Sequence, residues 1–363
     1  MKVLFLTNMP SYYRTDFFNQ LGYFCNLTVL FEKKDAKHRD SKWLSNEFKN
    51  FDAIFLDNIK YKLKINKYLS RKKYDIIIVG GYSTPIGMLS INYMNLKKIP
   101  FILNVDGGFI PKKENFIKKV IKKHYISSAR YWLSTGKETT EYLINYGANF
   151  EKIFIYPFTS LLQKDLLEYP ISYSAKKNLK SKLHISEEKI ILSVGQFIYR
   201  KGFDVLLRAC RSIPSCYGVY IIGGEPTEEY IKLKQDFNLT NVHFIGFKSK
   251  KELKQYYMAS DLFVLPTRQD VWGLVINEAM AYGLPVITTN KCIAGLELIK
   301  NQENGFIVPI NNAEILADKI NEILGNEIIL KKIAENNLKK IKKYTIENMA
   351  DEHMCIFRRI LSE

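Results

Sequence analysis

Two carboxylates, Asp270 and Glu278, flank a Trp-Gly-Leu in RQDVWGLVINEAMAYGLPVI, residues 268–287, with seven residues between them. In one continuous helix they would lie about 12 Å apart along the axis and roughly 80° apart around it, too far to share a ligand atom. A helix that starts near Gly273 changes the geometry. Asp270 then sits in the loop before it and Glu278 projects from its second turn. The unpaired N–H groups and positive dipole end of such a helix start suit a phosphate, and an acid on either side can grip hydroxyls. That layout fits a nucleotide sugar. The same residues also read as an N-capping Asp and a Glu on a solvated face.

Other segments place polar groups at the ends of apolar runs. VGQFIYRKGFDVLLRA, residues 194–209, leaves a strand at Gly195 and passes through Gln196, Arg200 and Lys201 into an amphipathic helix. Ligands of open parallel sheets bind beyond the carboxyl ends of strands, where a Lys201 cation can neutralise a diphosphate. IIGGEP (221–226) puts glycines at another strand end, FIGF (244–247) ends a third at Phe247, and LPT (265–267) leads into the two-acid segment. Four strand ends thus converge. Alone, each of these is also an ordinary solvated turn.

The elements that must position these residues repeat from end to end. Apolar runs at 2–8, 26–32, 52–57, 75–81, 100–106, 131–136 and 153–158 predict strands separated by helix-length segments. Their β-branched composition without alternation is that of strands covered on both faces, hence a parallel sheet. The pattern lapses over 160–187 and restarts at 189–196, 217–224, 241–246, 261–267, 284–289 and 304–309. Two doubly wound α/β domains follow, 1–165 and 166–345. The terminal helix, 346–363, has no strand left to cross to and is expected to return to the first domain.

At 363 residues and 47% hydrophobic, with 22 Phe and 23 Tyr, the chain can fill two cores. Its five cysteines form no C-x-x-C pair, which predicts reduced thiols and a cytoplasmic protein. No signal peptide or membrane-spanning run is expected. The net charge of +17 is uneven: residues 1–170 hold 27 of the 54 Lys+Arg but 15 of the 37 Asp+Glu. The dense patches are Lys60–Lys73 and Lys112–His124. In the second, Ile117, Val120 and Ile121 follow helical spacing among Lys118, Lys119, Lys122 and Lys123. Such a basic amphipathic helix suits an anionic membrane surface or anionic acceptor, and equally an ordinary surface helix. Nucleic acid is not expected, since no helix-turn-helix, zinc or RNP pattern accompanies the charge. The five His (His38, His124, His184, His243, His353) do not cluster and no D-x-D occurs, so no metal is expected.

Over residues 190–309 the sequence resembles the retaining glycosyltransferases of the GT-B fold, family 4, through VGQFIYRKGFDVLL, IIGGEP, NVHFIGF, YYMASDLFVLPTRQDVWGLVINEAMAYGLPVITT and ENGFIVP. A weaker, collinear resemblance covers the first domain. It implies two Rossmann-like domains facing a cleft, the first for the acceptor and the second for the donor. The implied reaction moves a hexose-type sugar, with retention, from a UDP-sugar or GDP-sugar to a hydroxyl of a saccharide or lipid-linked saccharide in polysaccharide synthesis of the capsule or lipopolysaccharide kind. Lys201 would then bind the diphosphate, Glu278 the ribose and Asp270 the transferred sugar. Gly273, Leu274 and Val275 would offer backbone N–H groups, and Phe247 backbone groups to the base. Gly195, Gln196, Arg200 and Trp272 complete the expected donor set, and no cofactor or metal is implied. The chain departs from the family where an Arg usually follows the glycine, here Gln196, and where the first acid is usually Glu. A first-domain His is also replaced: NVDGGF offers Asp106 instead. Other classes compatible with the fold are a nucleotide-sugar epimerase and a non-catalytic nucleotide or nucleic-acid binder.

Overall fold

The computed structural model describes residues 1–34, 44, 47–56 and 65–363. Asp57 at the end of one expected strand, Lys60–Lys64 of the first basic patch and His38 lie outside these. The described chain divides into two compact units, Met1–Ser160 with Tyr344–Glu363, and Leu161–Lys343.

The first unit is built on β1 (Lys2–Thr7), β2 (Asn26–Phe31), β3 (Asp52–Phe55), β4 (Ile76–Val79), β5 (Ile102–Val105), β6 (Tyr131–Ser134) and β7 (Ile153–Ile155). They form one sheet in the order β3-β2-β1-β4-β5-β6-β7, every pair parallel. The second unit holds β8 (Lys189–Val194), β9 (Tyr217–Ile222), β10 (Val242–Ile245), β11 (Leu262–Leu265), β12 (Val286–Thr289) and β13 (Gly305–Val308). Its order, β10-β9-β8-β11-β12-β13, is also wholly parallel. All thirteen expected strands are present, and each sheet reverses direction of growth once, beside its first strand. The two Rossmann-like units are those of the GT-B class.

Continuous apolar runs become strands here because helices cover both faces. Ile76–Val79 and Leu262–Leu265 are buried at every residue. The runs read from sequence overshoot at their carboxyl ends, where Gly80, Gly195 and Pro266 turn the chain into loops. Those loops carry the candidate chemistry.

The terminal helix Ile346–Ser362 belongs to the first unit. Thr345 caps it by accepting from the Asn348 N–H. Its apolar stripe, including Met349, His353 and Phe357, packs on the helix Tyr12–Leu21, with the His353 ring 4.7 Å from that of Phe17. Burial of such a stripe, rather than helix propensity, holds the helix in place.

Candidate functional site

The second unit's order reverses between β8 and β11, and the loops after these two strands meet there. Open α/β sheets place ligands at this crevice, outside the carboxyl ends of the strands where the strand order reverses. Gly202, at φ 70°, makes the meeting tight: a Cβ on it would stand 2.1 Å from the Pro266 carbonyl oxygen. Only glycine fits both the left-handed backbone and the gap. The loops are then laced by Arg268 N–H donating to the Arg200 carbonyl at 2.8 Å and Thr267 Oγ1 donating to the same oxygen at 2.8 Å. Arg268 closes the lacing, forking onto both Asp204 oxygens at 2.8 and 2.6 Å while lying over the Tyr199 ring.

The result brings together residues 69 and 70 apart in sequence. Lys201 Nζ donates to Asp270 Oδ2 at 2.6 Å, and Arg200 Nη1 stands 3.1 Å from Asp270 Oδ1. The stem of Lys201 runs across Gly195, whose missing side chain leaves 3.2 Å to Lys201 Cε from where a Cβ would be. Asp270 is 7% exposed and is pinned by its backbone, its N–H donating to Lys291 O at 2.8 Å and its carbonyl accepting from Ile293 N–H at 3.2 Å.

Gly273, φ 102°, then begins the helix Leu274–Ala281. This left-handed residue turns the chain, so Asp270 precedes the helix and Glu278 lies on it, as the spacing required. The helix start directs the first-turn N–H groups of Leu274 and Val275 away from its own hydrogen-bond ladder. Glu278 is half-buried, and its Oε2 accepts from the Tyr257 hydroxyl at 3.0 Å. Burial, and then the Glu278 charge, push the Tyr257 phenol well above its ordinary range, so it remains a donor. Gln196 is exposed at the end of β8, and Phe247 is half-buried beyond β10.

Trp272 is corrected. Its side chain is 2% exposed and its indole N–H donates to Asn277 Oδ1 at 2.9 Å, so it packs beneath the helix start instead of presenting a ligand surface. An aromatic beside the glycine looks like a contact residue in sequence, but the turn at Gly273 sends it inward.

In the first unit, Asp106 follows β5 and is held by three side chains. Arg14 Nη2 forms a short ion pair with Oδ2, while Asn104 Nδ2 at 2.9 Å and the Tyr156 hydroxyl at 3.2 Å donate to Oδ1. Its carboxylate is a third exposed. Arg14 is buried; burial works against its charge, but Asp106, together with Tyr13 and Tyr156, raises the guanidinium above its ordinary range. Sequence reading missed Arg14, although Arg14, Phe17, Phe18 and Leu21 share one helical face of buried residues. Tyr257 was missed as well. Gly108, two residues on from Asp106, lies against the Tyr142 ring, 2.6 Å from where a Cβ would be.

The basic helix forms over Phe116–Ser127, capped by Asn115. Lys118, Lys119 and Lys123 are exposed. Lys122 is corrected: its ammonium pairs with Glu114 at 2.6 Å and lies 5.0 Å from the Tyr146 ring centre, tying the helix to its own unit. Phe116, Ile117, Val120 and Ile121 are all exposed, from 78% to 41%. Among the described residues no helix is long and apolar enough to cross a membrane, and no group of His, Cys, Asp or Glu is arranged to hold a metal.

Residues 175–340 match the family model described as glycosyl transferases group 1. An uncharacterized glycosyltransferase of Haemophilus influenzae is 31% identical over 48% of this chain and 50% of its own, so the chain spans half that relative's length. The N,N'-diacetylbacillosaminyl-diphospho-undecaprenol alpha-1,3-N-acetylgalactosaminyltransferase of Campylobacter jejuni is 22% identical over 85% of this chain and 82% of its own. Among solved structures, Anabaena HepE in complex with UDP and glucose superposes with a TM-score of 0.78 at 17% identity, over 100% of this chain and 98% of that one. At that identity the likeness speaks for the fold.

Proposed function

We propose, from the match of residues 175–340 to the glycosyl transferases group 1, that the chain transfers a hexose-type sugar from a nucleoside-diphosphate donor to a hydroxyl of a saccharide or lipid-linked saccharide, with retention, in the synthesis of a cell-surface polysaccharide. The observation that carries the proposal is the meeting of Lys201, Arg200 and Asp270 at the β8/β11 switch point, directly before a helix start. Cations and backbone N–H groups there suit a diphosphate. Glu278, fixed by Tyr257, suits ribose hydroxyls, and Asp270 a sugar hydroxyl. A UDP-sugar is favoured over a GDP-sugar, supported by the UDP complex of the HepE fold relative.

In this reading no protein base is needed. As the C1–O bond to the β-phosphate breaks and the bond to the acceptor oxygen forms on the same face, the departing phosphate takes the acceptor proton. Lys201, Arg200 and the helix start stabilise the charge gathering on the diphosphate. Within the first unit Asp106, fixed by Arg14, Asn104 and Tyr156, suits a hydroxyl of a saccharide. Thermal unfolding in the presence of UDP-, GDP- and dTDP-sugars tests the donor: one of them at about 100 times its dissociation constant should add about 2.7 kcal/mol. No stabilisation by any of them contradicts the proposal.

The acceptor is proposed to be lipid-linked and met at an anionic membrane face, a reading supported by the diphospho-undecaprenol in the name of the Campylobacter jejuni transferase. The exposed Phe116, Ile117, Val120 and Ile121, with Lys118, Lys119 and Lys123 around them, form a face able to lie in a headgroup layer. Cosedimentation with vesicles containing anionic phosphatidylglycerol should be salt-sensitive and should weaken when the three lysines are replaced by Gln. Binding that ignores both changes would remove the membrane from the account.

A further inference from the structure

The two cations that suit a diphosphate are already engaged. Each Asp270 oxygen has its own partner, Lys201 on Oδ2 and Arg200 on Oδ1, and these are the ion-pair partners of the carboxylate among the described residues. The main chain at Asp270 is held on both sides of its side chain, bonded at Lys291 and Ile293. With its carboxylate 9% exposed, water is a poor replacement for either cation. Burial, and then the Asp270 charge, push the adjacent Cys292 thiol up to about 12, so that neighbour stays neutral beside the carboxylate.

We propose that Asp270 discriminates against the bare nucleoside diphosphate, so that the site holds the sugar-bearing donor and expels the product. The inference rests on the donor-site reading above. Any diphosphate that draws on Lys201 and Arg200 takes charge away from Asp270. The donor compensates: its β-phosphate is esterified and carries one charge, and the sugar attached to it presents hydroxyls that donate to the carboxylate. Transfer replaces the β-phosphate ester by a phosphate oxygen carrying the acceptor's proton. Loss of that proton to solvent leaves a terminal phosphate with a second charge near neutral pH. The product therefore faces a fixed, poorly solvated carboxylate with more charge and no hydroxyl. Like charges brought together disfavour binding, and rejection built from an unfavourable contact is a recognised source of specificity. Asp270, one methylene shorter than Glu, is kept close to its cations by this arrangement.

The test measures inorganic pyrophosphate and UDP by calorimetry against the full-length wild type, Asp270→Asn and, as a second variant against misfolding of the first, Asp270→Ser. Both variants should bind pyrophosphate and UDP about tenfold more tightly than wild type, the equivalent of about 1.4 kcal/mol. The gain should vanish in Lys201→Ala/Asp270→Asn. With the donor that supports turnover, product inhibition by UDP should strengthen in Asp270→Asn while the donor KM rises, whereas mere structural damage weakens both. Pyrophosphate affinity that is unchanged, weaker or undetectable in both variants overturns the inference. A tenfold gain in proteins whose wild type turns over no nucleotide sugar would instead overturn the proposed function and leave the discrimination standing.

Discussion

Gly202 and Pro266 approach so closely that a methyl group on the glycine would overlap the proline carbonyl, at 2.1 Å. The contact joins the loops after β8 and β11 and thereby sets Lys201 against Asp270. Gly202→Ala is expected to cost about 1–3 kcal/mol through its left-handed backbone alone, and more through the overlap. Thermal unfolding should show the loss, and turnover should fall further than stability explains, because Lys201 moves with the loop. A Gly202→Ala protein with wild-type midpoint and turnover would mean that the loops need no such approach.

The Arg14–Asp106 pair, whose arginine is buried and whose carboxylate is a third exposed, makes a different kind of prediction. Arg14→Met leaves a partly solvated Asp106 without its cation and is expected to destabilise the first unit by about 1–3 kcal/mol, whereas Arg14→Met with Asp106→Leu should recover much of that. Denaturant unfolding of the two proteins measures it. Equal destabilisation by the single and double changes would show that the arginine acts through packing on Tyr13 and Phe158, over whose rings it lies.

His353 links the terminal helix to acid stability. Burial, and the nearby Arg14, hold its pKa down, to about 4. An unfolded chain takes up the proton near pH 6.5 and the folded one does not, so the unfolded state binds more protons between these values. Stability is therefore full above about pH 6.5 and is lost as the pH falls towards 4. At pH 5 the loss from this group is about 2 kcal/mol relative to neutral pH. His353→Phe should flatten the unfolding midpoint over that window, and an unchanged slope would place the acid sensitivity elsewhere.

Tyr257 orients Glu278 without being placed to touch a donor. Tyr257→Phe removes one hydrogen bond to a charged group, worth about 1.5–3 kcal/mol. The donor KM should rise several-fold while pyrophosphate affinity stays at the wild-type value, since the proposed phosphate site is at the helix start and Glu278 lies a turn further along the helix. Loss of both affinities together would deny Tyr257 this local role.

The strands were legible because each is buried on both faces and so reads as an apolar run, and Asp270 and Glu278 were legible because a glycine between them must break the helix. What the sequence did not disclose depends on partners distant along the chain. Asp106 reads as a free polar group at a strand end until folding brings Arg14 to it from another helix. Trp272 reads as a ligand contact, but its direction is decided by the φ of Gly273 and by Asn277. Lys122 reads like its three neighbours, and only the loop that carries Glu114 over the helix separates it from them. Charge and aromatic character are visible residue by residue; the direction of a side chain is a tertiary property.

The most direct test of the donor site is sugar-dependent release of nucleotide from UDP-, GDP- and dTDP-sugars by slow hydrolysis, compared in wild type, Lys201→Ala and Glu278→Ala. One donor should be hydrolysed by the wild type, and each substitution should lower that rate by about 100-fold. Wild-type rates in Glu278→Ala, or no release from any donor by the wild type, would contradict the central claim.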